Sequence, residues 1–180
     1  MFVSQASMCI KTNLLDQLVQ FFRQSGHVKV VLVALGLLQL ISIVAAIMTV
    51  YVDHLNIHFS TPPLFEERTI VYAFITGIII SPVIETLIFQ WFIYKVFKRF
   101  KFFRNQVRYI ILVSAFLFGI AHVYHLYYMI GTFFSGIIYM SVYISKVSNK
   151  KLAYWLAVLT HSLSNAIALS LLFMSESFVV

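Results

Sequence analysis

The sequence predicts an all-α, polytopic transmembrane helical bundle of about five spans, preceded by an N-terminal amphipathic helix. Three observations predict it. Hydrophobic residues make up 61% of the 180 and charged ones 11%, and the mean hydropathy of +0.92 lies well outside the range of soluble globular domains. The apolar residues form five stretches, each near the ~20 helical residues that cross a ~30 Å hydrocarbon layer. Lys and Arg collect in alternate connections, which requires an odd number of spans.

Residues 12–24, TNLLDQLVQFFRQ, put Leu14, Leu15, Leu18, Phe21 and Phe22 on one helical face and Asp16, Gln17, Gln20 and Gln24 elsewhere. Such a helix lies on the membrane surface or packs beneath the bundle. The five spans run over about 30–51, 69–96, 108–125, 127–146 and 152–174. Pro82 is expected to kink the second. The third and fourth are joined around His125–Tyr128 by so little polar sequence that a tight hairpin is required. Small residues recur four apart (Gly77 and Ser81, Ala115 and Gly119, Thr132 and Gly136, Ser162 and Ala166), a spacing that lets helix backbones approach closely in lipid.

Basic residues orient the bundle. Lys11, Arg23 and Lys29 precede the first span, Lys95 to Arg108 surround the second connection, Lys146 to Lys151 form the fourth, and of 13 basic residues only Arg68 lies on the other side. The N-terminus is therefore expected in the cytoplasm and the C-terminus outside. The net charge of +7 belongs to these loops and to anionic headgroups, so no nucleic-acid partner is expected. Cys9 is the only cysteine, which excludes an internal disulfide and a multi-cysteine metal site. With no linker, internal repeat or removable signal peptide in view, residues 1–180 read as one membrane-embedded domain.

Five of the six carboxylates, Asp16, Asp53, Glu66, Glu67 and Glu176, lie in segments that reach water. Glu85 stands inside the second span, where an ionisable group costs about 2.5–3.5 kcal/mol and marks a functional interior. Its candidate partners are His122, at the end of FGIAH (118–122), and His161 and Asn165, which bound HSLSN (161–165). At 1.5 Å per residue, Glu85 and His161 each lie roughly 15 Å, and His122 roughly 21 Å, from the basic ends of their spans. All three fall near the bilayer middle.

A single carboxylate cannot form an aspartic-protease pair, and the sequence holds no HExxH, GxSxG or GxSG. What remains is a glutamate that takes a proton from water, a histidine that shares it, and His and Asn donors for an oxyanion, a set suited to amide hydrolysis. A zinc site at Glu85, His122 and His161 is also chemically open. The i, i+4 pair His54 and His58 reads as a solvated loop, His125 as near the outer interface, and Tyr124, Tyr127 and Tyr128 as interfacial aromatics.

These motifs resemble the CAAX protease and bacteriocin-processing family (CPBP, or Abi) of intramembrane glutamic endopeptidases. Its pattern is EExxxR, FxxxH and HxxxN on three of four core helices. Here the motifs read ETLIFQ (85–90), FGIAH and HSLSN, in that order, within a family-like core of about 69–174. The resemblance implies that Glu85 and His122 activate water while His161 and Asn165 stabilise the oxyanion, with Thr86, Phe89, Gln90 and Phe118 binding substrate or supporting the site. It departs from the pattern at Thr86 and Gln90, where the family has glutamate and arginine. Because the first glutamate carries the base role, an active enzyme is expected, with no cofactor.

The implied substrate is a peptide or membrane protein in the lipid bilayer of a cell, expected to be bacterial. Oligomeric state is not readable. Alternatives are a non-catalytic immunity or scaffold protein, whose polar cluster fixes helix register, and a proton or ion relay through Glu85 and the histidines.

Overall fold

A computed structural model describes residues 13–53, 70–123 and 126–177, and all of its regular elements are helices. Cys9, Lys11, His54, His58, Glu66, Glu67, Arg68, Tyr124 and His125 lie outside the described residues.

Helix α1 (Leu14–Gln24) begins at Asn13, whose Oδ1 accepts the Leu15 N–H at 2.9 Å, and it carries Asp16 in its first turn and Arg23 in its last. Both charges complement the helix dipole. Val19 and Phe22 are buried while Leu14 is exposed, so the apolar face packs under the bundle. Helix α2 (His27–Asp53) shows the inside-out logic of a span. Val30, Ala34 and Leu38, four apart, are buried, whereas Leu32, Leu40, Ile43 and Ile47 face outward where lipid solvates them.

Helix α3 is a continuous run made of α-helical Ile70–Phe74, π-helical Ile75–Ile80, α-helical Ser81–Glu85, π-helical Thr86–Phe92 and α-helical Ile93–Phe97. The wide turns on both sides of Pro82 are the distortion that proline brings. After a short helix α4 (Lys101–Asn105), α5 covers Val107–Ile120, α6 Leu126–Ser145 and α7 Lys150–Ser177. Around α4, Lys98 Nζ donates to the Arg104 carbonyl at 2.9 Å, and burial, with Arg104 nearby, holds this amine below the ordinary lysine range.

Windows of α2, α3, α6 and α7 are long and apolar enough to cross a membrane, and α5 is apolar but shorter. The chain is a multi-pass membrane protein. The third expected span differs from the observed helix, which stops at Ile120 rather than 125 and covers only about 21 Å. The stop is local. His122 Nδ1–H donates to the Phe118 carbonyl at 2.8 Å, and the His122 N–H turns back to Gly119 O. A histidine that takes a terminal carbonyl is a helix ending.

Helix α6 is central: Ile138–Ser145 are all buried. Its serines keep their hydroxyls satisfied along the helix, Ser141 on Ile137 O and Ser145 on Val142 O. Close approach of α5 and α6 depends on Gly136, where a Cβ would lie 2.9 Å from Ala115 Cα and 3.2 Å from Phe118 Cβ. At the basic end Lys146 Nζ donates to Ser25 O at 2.6 Å and Arg23 O at 3.2 Å, tying α1 to α6.

Candidate functional site

Three helices bring Glu85, His122 and His161 together. Glu85 Oε2 lies 3.6 Å from His161 Nε2 and 3.8 Å from His122 Nε2. Among the described residues no other carboxylate lies within 4 Å of a basic side chain. His161 is almost fully enclosed, with 4% of its side chain accessible, while Glu85 and His122 keep 22% and 17%. The carboxylate and one imidazole therefore border accessible space and the second imidazole backs them. Glu85 is about 18 Å from the basic end of α3 and His161 about 16 Å from that of α7.

The carbonyl side of α3 explains how Glu85 is held. In the first wide turn Ser81 N–H bonds Thr76 O, five residues back. The next bond in that pattern would run from residue 82 to Gly77 O, but Pro82 has no N–H. Asn165 Nδ2 supplies it instead, donating to Gly77 O at 2.8 Å. Tyr154 of α7 donates to Val83 O at 3.0 Å, and Ser114 of α5 donates to Phe89 O at 2.7 Å. Glu85 thus sits between three tethered carbonyls, at the junction of an α-helical and a wide turn, a distortion often found at functional sites.

Each imidazole has its own constraint. A carbonyl only accepts, so the His122 bond to Phe118 O fixes the proton on Nδ1 and leaves Nε2 toward Glu85. His161 is fixed by packing: Tyr139 stacks on it at 4.3 Å with planes 25° apart, and Phe118 meets it edge-on at 5.7 Å. Phe118 also contacts Phe89 edge-on at 5.3 Å and His122 at 4.6 Å. Gln39 Nε2 of α2 donates to Ser164 Oγ at 3.5 Å, so the helix outside the trio also reaches α7.

Of the residues singled out in sequence, Glu85, His122 and His161 converge, with Phe118 and Phe89 forming the aromatic wall beside them. Asn165 lies one turn beyond His161 and is anchored on α3, with one amide N–H used on Gly77 and the other unassigned. Thr86 and Gln90 are completely buried, and Thr86 Oγ1, Gln90 Oε1, Gln90 Nε2 and His161 Nδ1 have no hydrogen-bond partner among the described residues. Among the described residues no three ligating side chains form a group suited to a metal ion.

Tyr139, Ser164, Ser114, Tyr154 and Gly77 were missed. Tyr139 carried a signal, since its hydroxyl falls in mid-span, far from the interface where tyrosines sit. Gly77 carried another, since Pro82 five residues later removes a donor from a wide turn.

Fold and site together define a class, the polytopic helical membrane proteins with an acid and two imidazoles gathered inside the bundle. The sequence model of the Rce1-like family, described as type II CAAX prenyl endopeptidase Rce1-like, matches residues 67–167, more than half of the chain. The chain belongs to that family, and the kind of function that membership carries is CAAX-type intramembrane proteolysis. No curated protein and no solved structure matches it.

Proposed function

We propose that the chain is a glutamate-dependent intramembrane endopeptidase that hydrolyses a peptide bond of a membrane-associated peptide or protein. The observation that carries this reading is the meeting of Glu85 Oε2 with His122 Nε2 and His161 Nε2, at 3.8 and 3.6 Å, deep inside the bundle. Glu85 with His122 activates water: the Nδ1–H bond to Phe118 leaves His122 Nε2 to exchange a proton with the carboxyl. Attack on the scissile carbonyl places negative charge on its oxygen. His161 and the second N–H of Asn165 donate to that oxyanion, and protonation of the leaving amine by the Glu85–His122 pair completes the cleavage. Removal of one such donor typically costs about 10²–10³-fold in rate.

Positioning comes from groups that touch no substrate. The Gly77 bond aims the Asn165 amide, and Tyr139 holds the His161 ring. The N-terminus in this reading is cytoplasmic.

The test is co-expression of candidate substrates with wild-type protein and Glu85→Gln, followed by mass spectrometry of membrane peptides. Loss of cleavage with normal abundance is expected. Unchanged cleavage overturns the reading, and lowered abundance supports the structural-cluster alternative. Metal analysis of the purified protein, with activity before and after chelation, separates glutamate-activated water from zinc held by Glu85, His122 and His161.

A further inference from the structure

The seam between α3 and α7 carries a second feature, between Glu85 and the basic ends of the two helices. A groove of about 250 Å³ is lined by Leu87 and Trp91 of α3 and by Lys150, Lys151 and Tyr154 of α7. Its walls are fixed: the Tyr154 hydroxyl is bonded to Val83 O at 3.0 Å, and Lys95 Nζ lies 4.6 Å from the Trp91 ring centre. Lys150 and Lys151 line the groove and Lys95 sits over its Trp91, and among the described residues none of the three lies within 4 Å of a carboxylate. Clustering like charges without a carboxylate favours an anionic occupant.

Depth identifies that occupant. Lys150 is the first residue of α7, so its ammonium lies at headgroup level, whereas Tyr154 is about 6 Å further in. On α3, Trp91 is about 9 Å and Leu87 about 15 Å from the end at Phe97. Leu87 is 46% exposed on the face that meets lipid. The groove is therefore cationic at the interface and apolar where acyl chains run. That gradient matches an amphiphile with an anionic head, not a soluble anion, for which Leu87 offers nothing.

We propose that this groove is a site for an anionic phospholipid of the leaflet at the basic end. Its phosphate is held by Lys150 and Lys151, the indole of Trp91 lies at the glycerol level, and the first acyl carbons run along Leu87. Because the groove joins the helices that carry Glu85 and His161, the bound lipid also braces the two halves of the acid–imidazole cluster. The assignment stands whether or not the chain cleaves peptides.

The test is native mass spectrometry of the protein from mixed micelles of phosphatidylglycerol and phosphatidylcholine. Wild-type protein is expected to retain phosphatidylglycerol preferentially. A lysine near a charged membrane surface contributes about a five-fold preference, so K150Q/K151Q should lower the retained ratio roughly 30-fold. Lys101→Gln, at another exposed lysine of the same end, should leave it unchanged, and millimolar inorganic phosphate should not displace the lipid. Equal retention of the two lipids by wild-type protein, an equal loss with Lys101→Gln, or displacement by phosphate overturns the proposal.

Discussion

Asn165 of α7 fills the hydrogen-bonding role that Pro82 of α3 cannot. The wide turn at Ile75–Ile80 would send the residue 82 N–H to Gly77 O, and with proline there the carbonyl receives Asn165 Nδ2 at 2.8 Å. The motif residue expected to bind an oxyanion is thus also a tether between the helices of Glu85 and His161. A side-chain amide has two N–H groups, so the roles are compatible and separable.

A double-mutant cycle separates them. Asn165→Leu leaves Gly77 O without a donor and should destabilise by about 1–3 kcal/mol. Pro82→Ala restores an N–H at residue 82, so in that background the same substitution should cost less than about 1 kcal/mol. Cleavage should fall about 10²–10³-fold in both backgrounds if the second N–H serves the oxyanion. Thermal unfolding in detergent and cleavage rates are the measurements; a rate loss that disappears in the Pro82→Ala background assigns Asn165 to tethering alone.

Tyr139 should matter to rate through the His161 ring. Tyr139→Phe keeps the 4.3 Å stack and removes only the hydroxyl, so cleavage should stay within a few-fold of wild type. Tyr139→Leu removes the stack, frees the imidazole and should lower the cleavage rate roughly 10²-fold, the usual effect of misplacing a reacting group by about 1 Å. Single-turnover cleavage rates decide between this and simple packing, which makes the two variants alike.

The approach of α5 to α6 gives a sharper structural contrast. Gly136→Ala places a methyl 2.9 Å from Ala115 Cα and 3.2 Å from Phe118 Cβ, so the helices must part and carry Phe118 with them. Phe118 O holds His122, so stability should fall by about 1–3 kcal/mol and cleavage with it. Gly36→Ala meets nothing within 4 Å and should be neutral or slightly stabilising. Thermal shifts of the two variants make the comparison.

The sequence made the bundle and its central trio legible because lipid simplifies the problem. An apolar run of about 20 residues has one viable structure there, and Glu85 stands out in it. Motif spacing then paired it with His122 and His161. The tethering was less visible, since it depends on contacts from distant helices: Gly77 and Phe89 in the wide turns of α3, and Val83 in the α-helical turn between them, each accept from α5 or α7. The early end of α5 was hidden as well, because apolar composition continues past Ile120 while the His122 bond to Phe118 O stops the helix. Gln39 lies outside the family match, and only folding brings it to Ser164.

Thr86 and Gln90 offer the last prediction. They stand at the two positions where the sequence resemblance expects glutamate and arginine, and both are buried with Thr86 Oγ1, Gln90 Oε1 and Gln90 Nε2 unpaired among the described residues. A buried ion pair is costly to break, because the survivor is an uncompensated charge worth about 3–5 kcal/mol of destabilisation. A neutral pair avoids that cost, and changing both positions together is the route that never leaves a lone charge. Gln90→Arg alone should therefore deplete the protein from membranes. Adding Thr86→Glu should recover most of its abundance, with a coupling of at least about 2 kcal/mol in unfolding measurements. Gln90→Leu, which removes two unpaired polar atoms, should be neutral or stabilising. Additive effects of the two charged substitutions would show that the positions do not communicate, and that the neutral pair is not a replacement for the charged one.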